Sequence, residues 1–272
     1  MLKVGIIGFG NMGKAIAFGG RALFEVSIFD KDKEKLADCL SLKARTQVAD
    51  LINNSDCIIL AVKPQDMASV LKEIKASFKE QLLISIAAGI STKSITRQLG
   101  IAARIIRIMP NMPAQISQGV SFLYKAESAT VKDMDLAWQL FSCVGLVLAV
   151  DDEKKINAAT AVSGSGPAFF CDYIEESANA DLRRNEFIQM LTHAAVGLGF
   201  DQQEAKVISE KTVDGTIAML KKMNLTCEEL IKKVASKGGT TEAGLKVLQN
   251  NGTLEEAVKA ALARAEELEK GS

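Results

Sequence analysis

The chain has 272 residues, 48% of them hydrophobic, which is enough for one large domain or two modest ones, each with its own core. Its 33 basic residues balance 33 acidic ones without a long run of either sign, so we expect neither a nucleic-acid partner nor a membrane-surface partner. No apolar run is long enough to span a bilayer, and a strand pattern begins by residue 3, so we expect no transmembrane anchor and no signal peptide.

A glycine-rich stretch at the N-terminus is the first informative element. Residues 2–7 predict a buried strand, glycines follow at the spacing G-x-G-x-x-G from Gly8 to Gly13, and residues 14–24 predict a helix. This order is typical of dinucleotide binding, because the glycines let the backbone approach a pyrophosphate and the helix N-terminus offers it N–H groups. The alternative is a glycine-rich turn that binds nothing.

The second predicted strand, residues 26–29, ends at Asp30, which lies 22 positions after Gly8. A carboxylate at about this distance meets the hydroxyls of the adenosine ribose and favours NADH, because it would repel the 2′-phosphate of NADPH. Lys31 and Lys33 could offset that repulsion. The alternative is that Asp30 caps the following helix.

Apolar runs alternate with helical patterns throughout residues 1–150, and the runs after the first strand lie at 26–29, 57–62, 82–87, 105–109, 120–123 and 146–150. Such alternation predicts the α/β class, with a doubly wound, mainly parallel sheet joined by right-handed crossover helices. Ligands of such sheets lie beyond the C-terminal ends of the strands.

Three of these strand ends carry further candidate residues. The run at 57–62 ends in Lys63-Pro64, where proline suits the first turn of a helix and Lys63 suggests a ligand contact or a solvated charge. Small residues at 87–89 would let a flat ring approach the backbone. Asn111, between two prolines, predicts a stiff loop whose amide points outward to a nicotinamide or a substrate, or else an ordinary rigid turn.

Strand patterns cease after Val150, and the remaining chain reads as helices. We place the boundary near 151–155 and expect domains at 1–152 and 153–272, packed together because no flexible linker separates them. Ser163-Gly-Ser-Gly-Pro167 predicts the end of one helix and the start of another, either an exposed start suited to an anion or a structural kink.

The histidine and cysteine content limits the chemistry. The single histidine, His193, lies in a helical pattern over 186–200, where we expect it to support packing rather than catalysis. Five scattered cysteines form no C-x-x-C pair and predict reduced, mostly buried thiols in a cytoplasmic protein, without disulfides or a metal site.

Two features close the chain. Residues 236–241, Ser-Lys-Gly-Gly-Thr-Thr, open a helix whose N–H groups and hydroxyls suit a small carboxylate. The last helix follows a capping box of Thr253 and Glu256, and its narrow apolar stripe from Leu254 to Leu268 suits docking on this chain or on a partner.

Taken together, these motifs resemble pyrroline-5-carboxylate reductases. The matching stretches occur in the family's order at residues 5–16, 61–64, 85–90, 107–111, 163–168 and 236–241. The resemblance implies an N-terminal Rossmann domain and a C-terminal all-helical domain that builds a homodimer, or a higher oligomer. It also implies reduction of 1-pyrroline-5-carboxylate to L-proline with NADPH or NADH, which completes proline biosynthesis.

The resemblance also implies residue roles. Cofactor contacts would come from Ile7, Gly8, Phe9, Gly10, Asn11, Met12, Gly13, Asp30, Ala61, Val62, Lys63 and Pro64, with Ile86, Ala87, Ala88 and Asn111 near the nicotinamide. The substrate would be held by Ser236, Gly239, Thr240 and Thr241 at the dimer interface, and Thr241 would hydrogen-bond the imine nitrogen. Two departures from the family pattern are Met112 in place of threonine and Lys237 in place of proline.

Two other functions fit parts of the sequence. A β-hydroxyacid dehydrogenase would need a strong proton donor, and Lys154 or Lys155 lies near the start of the interdomain helix, but residues 160–167 do not match that family. A non-catalytic dinucleotide sensor would not need the loop at 236–241.

Overall fold

The computed structural model describes residues 1–37, 39, 42–174 and 180–271. Up to residue 150 it contains a single eight-stranded sheet. The strands are β1 Lys3–Ile7, β2 Glu25–Phe29, β3 Lys43–Ala44, β4 Cys57–Leu60, β5 Leu82–Ser85, β6 Arg104–Pro110, β7 Gly119–Lys125 and β8 Gly145–Val150. The accompanying helices are α1 Asn11–Gly20, α2 Val48–Asn53, α3 Met67–Ile74, α4 Thr92–Leu99 and α5 Val131–Ser142.

The strand order is β3-β2-β1-β4-β5-β6-β7-β8, and β1 to β6 pair in parallel. The first strand therefore lies between β2 and β4, at the point where the chain reverses its direction of travel across the sheet. This is the Rossmann arrangement, in which a ligand binds beyond the C-terminal end of β1. The mainly parallel α/β fold predicted from the sequence is confirmed.

One strand pairing differs from the expected parallel alternation, since β7 runs antiparallel to β6. Only residues 111–118 connect the two strands. A parallel return needs a crossover of about a dozen residues or more, so the chain can come back only in the opposite direction. The next connection contains α5 and allows β8 to pair in parallel with β7.

The first helix is shorter than predicted, because α1 ends at Gly20 instead of continuing to residue 24. The N–H groups of Leu23 and Phe24 both donate to the Gly20 carbonyl and close a turn. Phe24 is then buried between helix and sheet. The two-residue strand β3 was not predicted, because no apolar run marks it.

Within the described residues, everything after Val150 is helical or connects helices. The helices are α6 Lys154–Ala159, α7 Gly166–Ile174, α8 Ala180–Gly197, α9 Gln202–Met223, α10 Cys227–Val234, α11 Thr240–Gln249 and α12 Leu254–Lys270. A π-helical turn, Thr160–Gly164, joins α6 to α7. The capping box of Thr253 and Glu256 is present at the start of α12.

Two hydrophobic clusters cover the two faces of the sheet, and a third fills the helical half. The third cluster extends onto the sheet through Met109, Val120 and Phe122, and the Phe122 ring packs in a tilted arrangement against Phe200 with ring centroids 5.7 Å apart. The helices therefore pack directly on strands β6 to β8. The apolar stripe of α12 docks within its own chain, against α6, α8 and α11.

In the part of the chain described here, each helix is too short or too polar to cross a bilayer. All five cysteines are thiols outside any disulfide, and Cys39, Cys57 and Cys171 are buried. His193 does not support packing as expected, since its side chain is 79% exposed on α8 and lies 3.7 Å from Glu255 Oε2.

Candidate active site

The glycine turn, residues 8–13, is shaped by glycine sterics. Gly8 has a φ of +100°, and a Cβ there would lie 2.5 Å from the Ala61 carbonyl oxygen. A Cβ on Gly13 would overlap the Gly8 carbonyl, so helix α1 could not pack so close to β1. Gly10 is the N-cap of α1 and provides no side-chain cap, so the first-turn N–H groups stay free for a phosphate.

A cleft of about 460 Å³ opens at this turn, between the ends of β2 and β4. Seven of the predicted cofactor residues line it: Ile7, Gly8, Gly10, Asp30, Ala61, Val62 and Lys63. Lys31, Lys35 and Asp66 line it too, and Lys31 bridges it with Nζ 2.8 Å from Asp66 Oδ1. The hydrogen bond to Asp66 raises the pKa of Lys31.

The remaining predicted cofactor residues near the turn do not line this cleft. Phe9 is fully buried in the core, and its ring centroid lies 6.1 Å from that of the exposed Phe18. Asn11 and Met12 form the first turn of α1, where Asn11 is exposed and Met12 packs partly into the core. Pro64 begins the short 3-10 helix Pro64–Asp66, in agreement with the expected strand-to-helix transition.

Asp30 anchors the glycine turn. Its Oδ2 accepts the Phe9 N–H at 2.7 Å and its Oδ1 accepts the Asp32 N–H at 2.9 Å, while Lys35 Nζ lies 3.5 Å away. The carboxylate is 8% exposed. Asp30 does not cap the next helix, because Asp32 caps the 3-10 helix that follows. Its carboxylate therefore fixes the turn from the edge of the cleft.

The predicted orientation of the Asn111 amide is wrong. Its Nδ2 donates to the carbonyl and hydroxyl oxygens of Ser163, at 3.3 and 3.1 Å, and its Oδ1 accepts the Val120 N–H at 2.8 Å. The residue is 2% exposed. The amide points inward because β7 returns antiparallel to β6. This return brings the Val120 N–H, near the start of β7, to the Asn111 side-chain oxygen.

The 86–92 segment runs from the end of β5 to the first residue of α4 and contains Ile86, Ala87 and Ala88, three of the residues predicted to lie near the nicotinamide. Ile86 and Ala88 are half-buried, while Ala87 is packed into the core. Gly89 adopts a φ of +69°. Of the three predicted contacts, Ile86 and Ala88 keep exposed surface for a ring.

The glycine–threonine loop, residues 236–241, ends at the start of α11. Gly238 has a φ of +69°, and Gly239 is the N-cap without a side-chain cap. The Gly238 N–H donates to Glu242 Oε2 at 2.6 Å, and the Gly238 carbonyl accepts Arg264 Nε–H at 2.8 Å. Ser236 and Lys237 are exposed, whereas Thr240 and Thr241 are buried.

The buried threonines meet the turn between α6 and α7. Thr241 Oγ1 donates to Ser165 Oγ at 3.0 Å, and Ser165 Oγ donates to the Thr160 carbonyl at 3.3 Å. Thr240 Oγ1 lies 3.5 Å from Ser165 Oγ. The helix start at Gly166 and Pro167 is buried, so it offers no exposed anion site. The conspicuous Ser-Gly-Ser-Gly sequence marked Ser165, but its partner 76 positions away was not foreseen.

The chemical inventory of this site is simple. Hydroxyls, uncapped helix N-termini and small residues dominate it, and no histidine lies within it. Among the described residues, no three His, Cys, Asp or Glu side chains gather as a metal site would require. Such an arrangement suits binding and orientation of a cofactor and a carboxylate.

Comparison with known proteins gives consistent relatives. A family model described as pyrroline-5-carboxylate reductase dimerisation matches residues 185–268, and one described as NADP oxidoreductase coenzyme F420-dependent matches residues 3–89. The pyrroline-5-carboxylate reductase of Pseudomonas aeruginosa is 35% identical over 98% of this chain and 96% of its own length.

Two solved structures cover nearly the whole chain. A pyrroline-5-carboxylate reductase from Coxiella burnetii is 31% identical, with a TM-score of 0.65 and 97% coverage of both chains. The pyrroline carboxylate reductase of Plasmodium falciparum, solved with NADP bound, is 27% identical, with a TM-score of 0.64 and 98% coverage of both chains.

Proposed function

The chain belongs to the pyrroline-5-carboxylate reductase family, and we propose on this basis that it reduces 1-pyrroline-5-carboxylate to L-proline with NADH or NADPH. This reaction is the final step of proline biosynthesis. The observation that carries the proposal is the contact between Thr241 and Ser165, which joins the glycine–threonine loop to the interdomain helices of a chain with an open dinucleotide cleft.

The cleft fits a dinucleotide. The glycine turn leaves no Cβ where a pyrophosphate must approach, and the first turn of α1 is uncapped. Ile7, Gly8, Gly10, Ala61, Val62 and Lys63 would hold the adenosine and pyrophosphate, with Asp30 fixing the turn. Phe9, Asn11, Met12, Gly13 and Pro64 would support this end, and Ile86 to Ala88 with Asn111 would support the nicotinamide end.

The substrate carboxylate would lie at the N-terminus of α11. The N–H groups of its first turn have no intrahelical partners, and the helix dipole favours an anion there. Ser236, Gly239 and Thr240 would surround the carboxylate, and Thr241 would face the ring nitrogen. The carboxylate of the substrate would thus lie at the partly exposed loop, and its C=N bond would lie at the buried Thr241.

The chain of hydrogen-bonded hydroxyl groups fixes the direction in which the Thr241 hydroxyl donates its proton. A carbonyl can only accept, so Ser165 Oγ–H donates to Thr160 and Thr241 Oγ1–H donates to Ser165. Thr241 then offers lone pairs to the substrate. We expect it to accept the N–H of the protonated imine and so to select the more electrophilic iminium form.

When bound, the reduced nicotinamide supplies a hydride. The hydride adds to the imine carbon, the π electron pair of the C=N bond moves to nitrogen, and the nitrogen keeps its proton as a secondary amine. No acid is consumed at the site, consistent with its lack of a histidine. The protein contributes placement, which can lower a barrier by about 7–11 kcal/mol in favourable cases.

We propose residues 1–152 as the dinucleotide-binding domain and residues 153–272 as the substrate and dimerisation domain of a cytoplasmic homodimer. The dimerisation family model over residues 185–268 supports the homodimer, and the five cysteines, which form no disulfide, support a reducing compartment. Sedimentation should give at least twice the mass of 29.2 kDa for the chain. A monomer at working enzyme concentrations would contradict the dimer.

The assay follows oxidation of NADH and NADPH with 1-pyrroline-5-carboxylate. Hydroxyacids with the oxidised cofactors provide the comparison for a hydroxyacid dehydrogenase. We expect turnover with the imine and none with hydroxyacids. No turnover with the imine at saturating cofactor would overturn the proposal, and binding without any turnover would indicate a sensor.

A further inference from the structure

The last helix touches both loops of the candidate active site. Arg264 Nε donates to the Gly238 carbonyl at 2.8 Å, and one turn later Leu268 lies against Gly89. A Cβ at Gly89 would come within 2.8 Å of Leu268 Cβ, so the two backbones meet as closely as glycine permits. Four helical positions span about 6 Å, which sets the separation of the two contacts.

The end of α12 is fixed by a buried cation. Arg107 is 0% exposed, and its Nη1 lies 3.0 Å from Glu153 Oε1 and 2.6 Å from Glu269 Oε1. Its Nη2 donates to Asn157 Oδ1 at 3.0 Å, and Asn157 Nδ2 donates to Glu269 Oε2 at 2.6 Å. We call these four residues the Arg107 cluster.

The same cluster holds the far end of the 86–92 segment. Glu153 Oε1 accepts the Thr92 N–H and Glu153 Oε2 accepts the Thr92 hydroxyl, both at 2.8 Å. The segment is therefore held at Thr92 through Glu153 and at Gly89 through the turn of α12 that Glu269 fixes. Both attachments therefore depend on the Arg107 guanidinium, which contacts Glu153 and Glu269.

We propose that α12 positions the 86–92 segment relative to the glycine–threonine loop, with Glu269 as the positioning residue. The inference rests on the proposed function, which places the nicotinamide at the first loop and the substrate at the second. Hydride transfer needs the reacting carbons about 3–3.5 Å apart, so a small displacement of either loop slows the chemical step. Binding of the adenosine end, which lies at the glycine turn, does not depend on this arrangement.

Glu269→Gln tests the proposal with little change in shape. Arg107 keeps Glu153 as a counter-charge, so no buried cation is left unpaired. The two carboxylate oxygens of Glu269 accept from Arg107 and Asn157. Glutamine has only one side-chain oxygen, so one of these two hydrogen bonds is lost. The matched control is Glu266→Gln, because Glu266 is an exposed glutamate on the same helix.

The measurement is the hydride-transfer rate constant in single turnovers with enzyme in excess, alongside cofactor affinity from fluorescence titration. A single-turnover rate constant does not depend on how much of the enzyme is folded. We expect it to fall roughly 5- to 20-fold in Glu269→Gln, well within the about 100-fold that a 1 Å misplacement can cost. Cofactor affinity should change less than about 2-fold, and Glu266→Gln should match the wild type.

An unchanged rate constant in folded Glu269→Gln would overturn the proposal and leave Glu269 a purely structural role. A parallel loss of cofactor affinity would overturn it too. Should Glu269→Gln not fold, Glu269→Asp keeps the charge and draws it back by one methylene, with a smaller loss expected and an unchanged rate overturning the inference. Wild-type turnover is measured first, so failure of the proposed reaction is recognised separately.

Discussion

The glycine turn at residues 8–13 and the glycine–threonine loop at residues 236–241 are both glycine-rich entries to a helix, but different forces hold them. Close backbone contacts shape the first, between Gly8 and Ala61 and between Gly13 of α1 and the Gly8 carbonyl, where only hydrogen atoms fit. Side-chain hydrogen bonds hold the second, from Ser165 in the turn between α6 and α7, from Glu242 in α11 itself and from Arg264 in α12. We therefore expect one added methyl group to disrupt the glycine turn. Removal of one hydrogen bond should weaken the glycine–threonine loop only in part.

Gly13→Ala should disrupt the glycine turn and should have the largest effect of the substitutions considered. Its Cβ would overlap the Gly8 carbonyl, and overpacking of this kind costs about 3 kcal/mol at its upper end, or roughly 100-fold in cofactor affinity. Fluorescence titration with NADH and NADPH measures the loss. Gly197→Ala is the control, because a Cβ there meets no atom within 4 Å. Near-normal affinity in Gly13→Ala would show that the turn can relax.

Thr241→Ala should weaken the second region without touching the first. We expect turnover to fall roughly 10- to 100-fold, because a hydrogen bond to the charged iminium, worth about 1.5–3 kcal/mol, is lost, and cofactor affinity to stay unchanged. Ser165→Ala should lose less, and the double variant should be no worse than Thr241→Ala, because both act through one hydrogen bond.

Thr226→Ala is the control for loss of a helix-opening threonine. Thr226 caps α10 in an exposed capping box, so this change should cost about 0.5–2 kcal/mol of stability and leave turnover intact. Complete loss of activity in a folded Thr241→Ala enzyme that still binds cofactor would contradict the assigned role.

Asp30→Ser sharpens the comparison at the edge of the cleft. Removing the charge should shift preference towards NADPH by roughly 10-fold, near the low end of the repulsion expected at about 4 Å. Losing the acceptor of the Phe9 N–H should weaken both cofactors, by about 1–3 kcal/mol. Steady-state kinetics with both cofactors measures the two effects separately.

Glu25→Gln is the control for Asp30→Ser, because Glu25 begins the same strand at the opposite edge of the sheet and pairs with Lys43 on the surface. If the wild type already prefers NADPH and Asp30→Ser changes nothing, the ribose role assigned to Asp30 is wrong.

His193→Gln should have the smallest effect of all. The side chain is exposed on α8, faces Glu255 and does not line the cleft at the glycine turn. We expect turnover within about 2-fold of the wild type and an unchanged pH profile, as for a surface substitution. A lost limb of that profile would reveal a proton-transfer role.

What the sequence could predict follows the same division. Alternating apolar runs and the spacing of Gly8, Gly10 and Gly13 are local patterns, so strands β1, β2 and β4 to β8 and the cofactor turn were predicted. The direction of β7 was also within reach, since only residues 111–118 were available for the return. The length of a connection can be counted from the sequence once the two flanking strands are identified.

Side-chain partners far apart in the chain were not within reach. Asn111 was expected to point outward, but its amide donates to Ser163, 52 positions away in a helical turn whose packing no local pattern specifies. The pairings of Ser165 with Thr241 and of Arg107 with Glu269 are likewise decided by how helices pack. The sequence marked these motifs as unusual and could not say which of them meet.

The hydrophobic cluster that runs from the helices onto strands β6 to β8 has a consequence for how the protein unfolds. Val120 and Phe122 belong to the dinucleotide-binding half by sequence, but their apolar surface is covered by helices of the other half. A chain ending after Val150 would expose that surface to water. We therefore expect the two halves to unfold together, and a ligand bound at the glycine turn to protect the helices near the opposite end of the chain against unfolding.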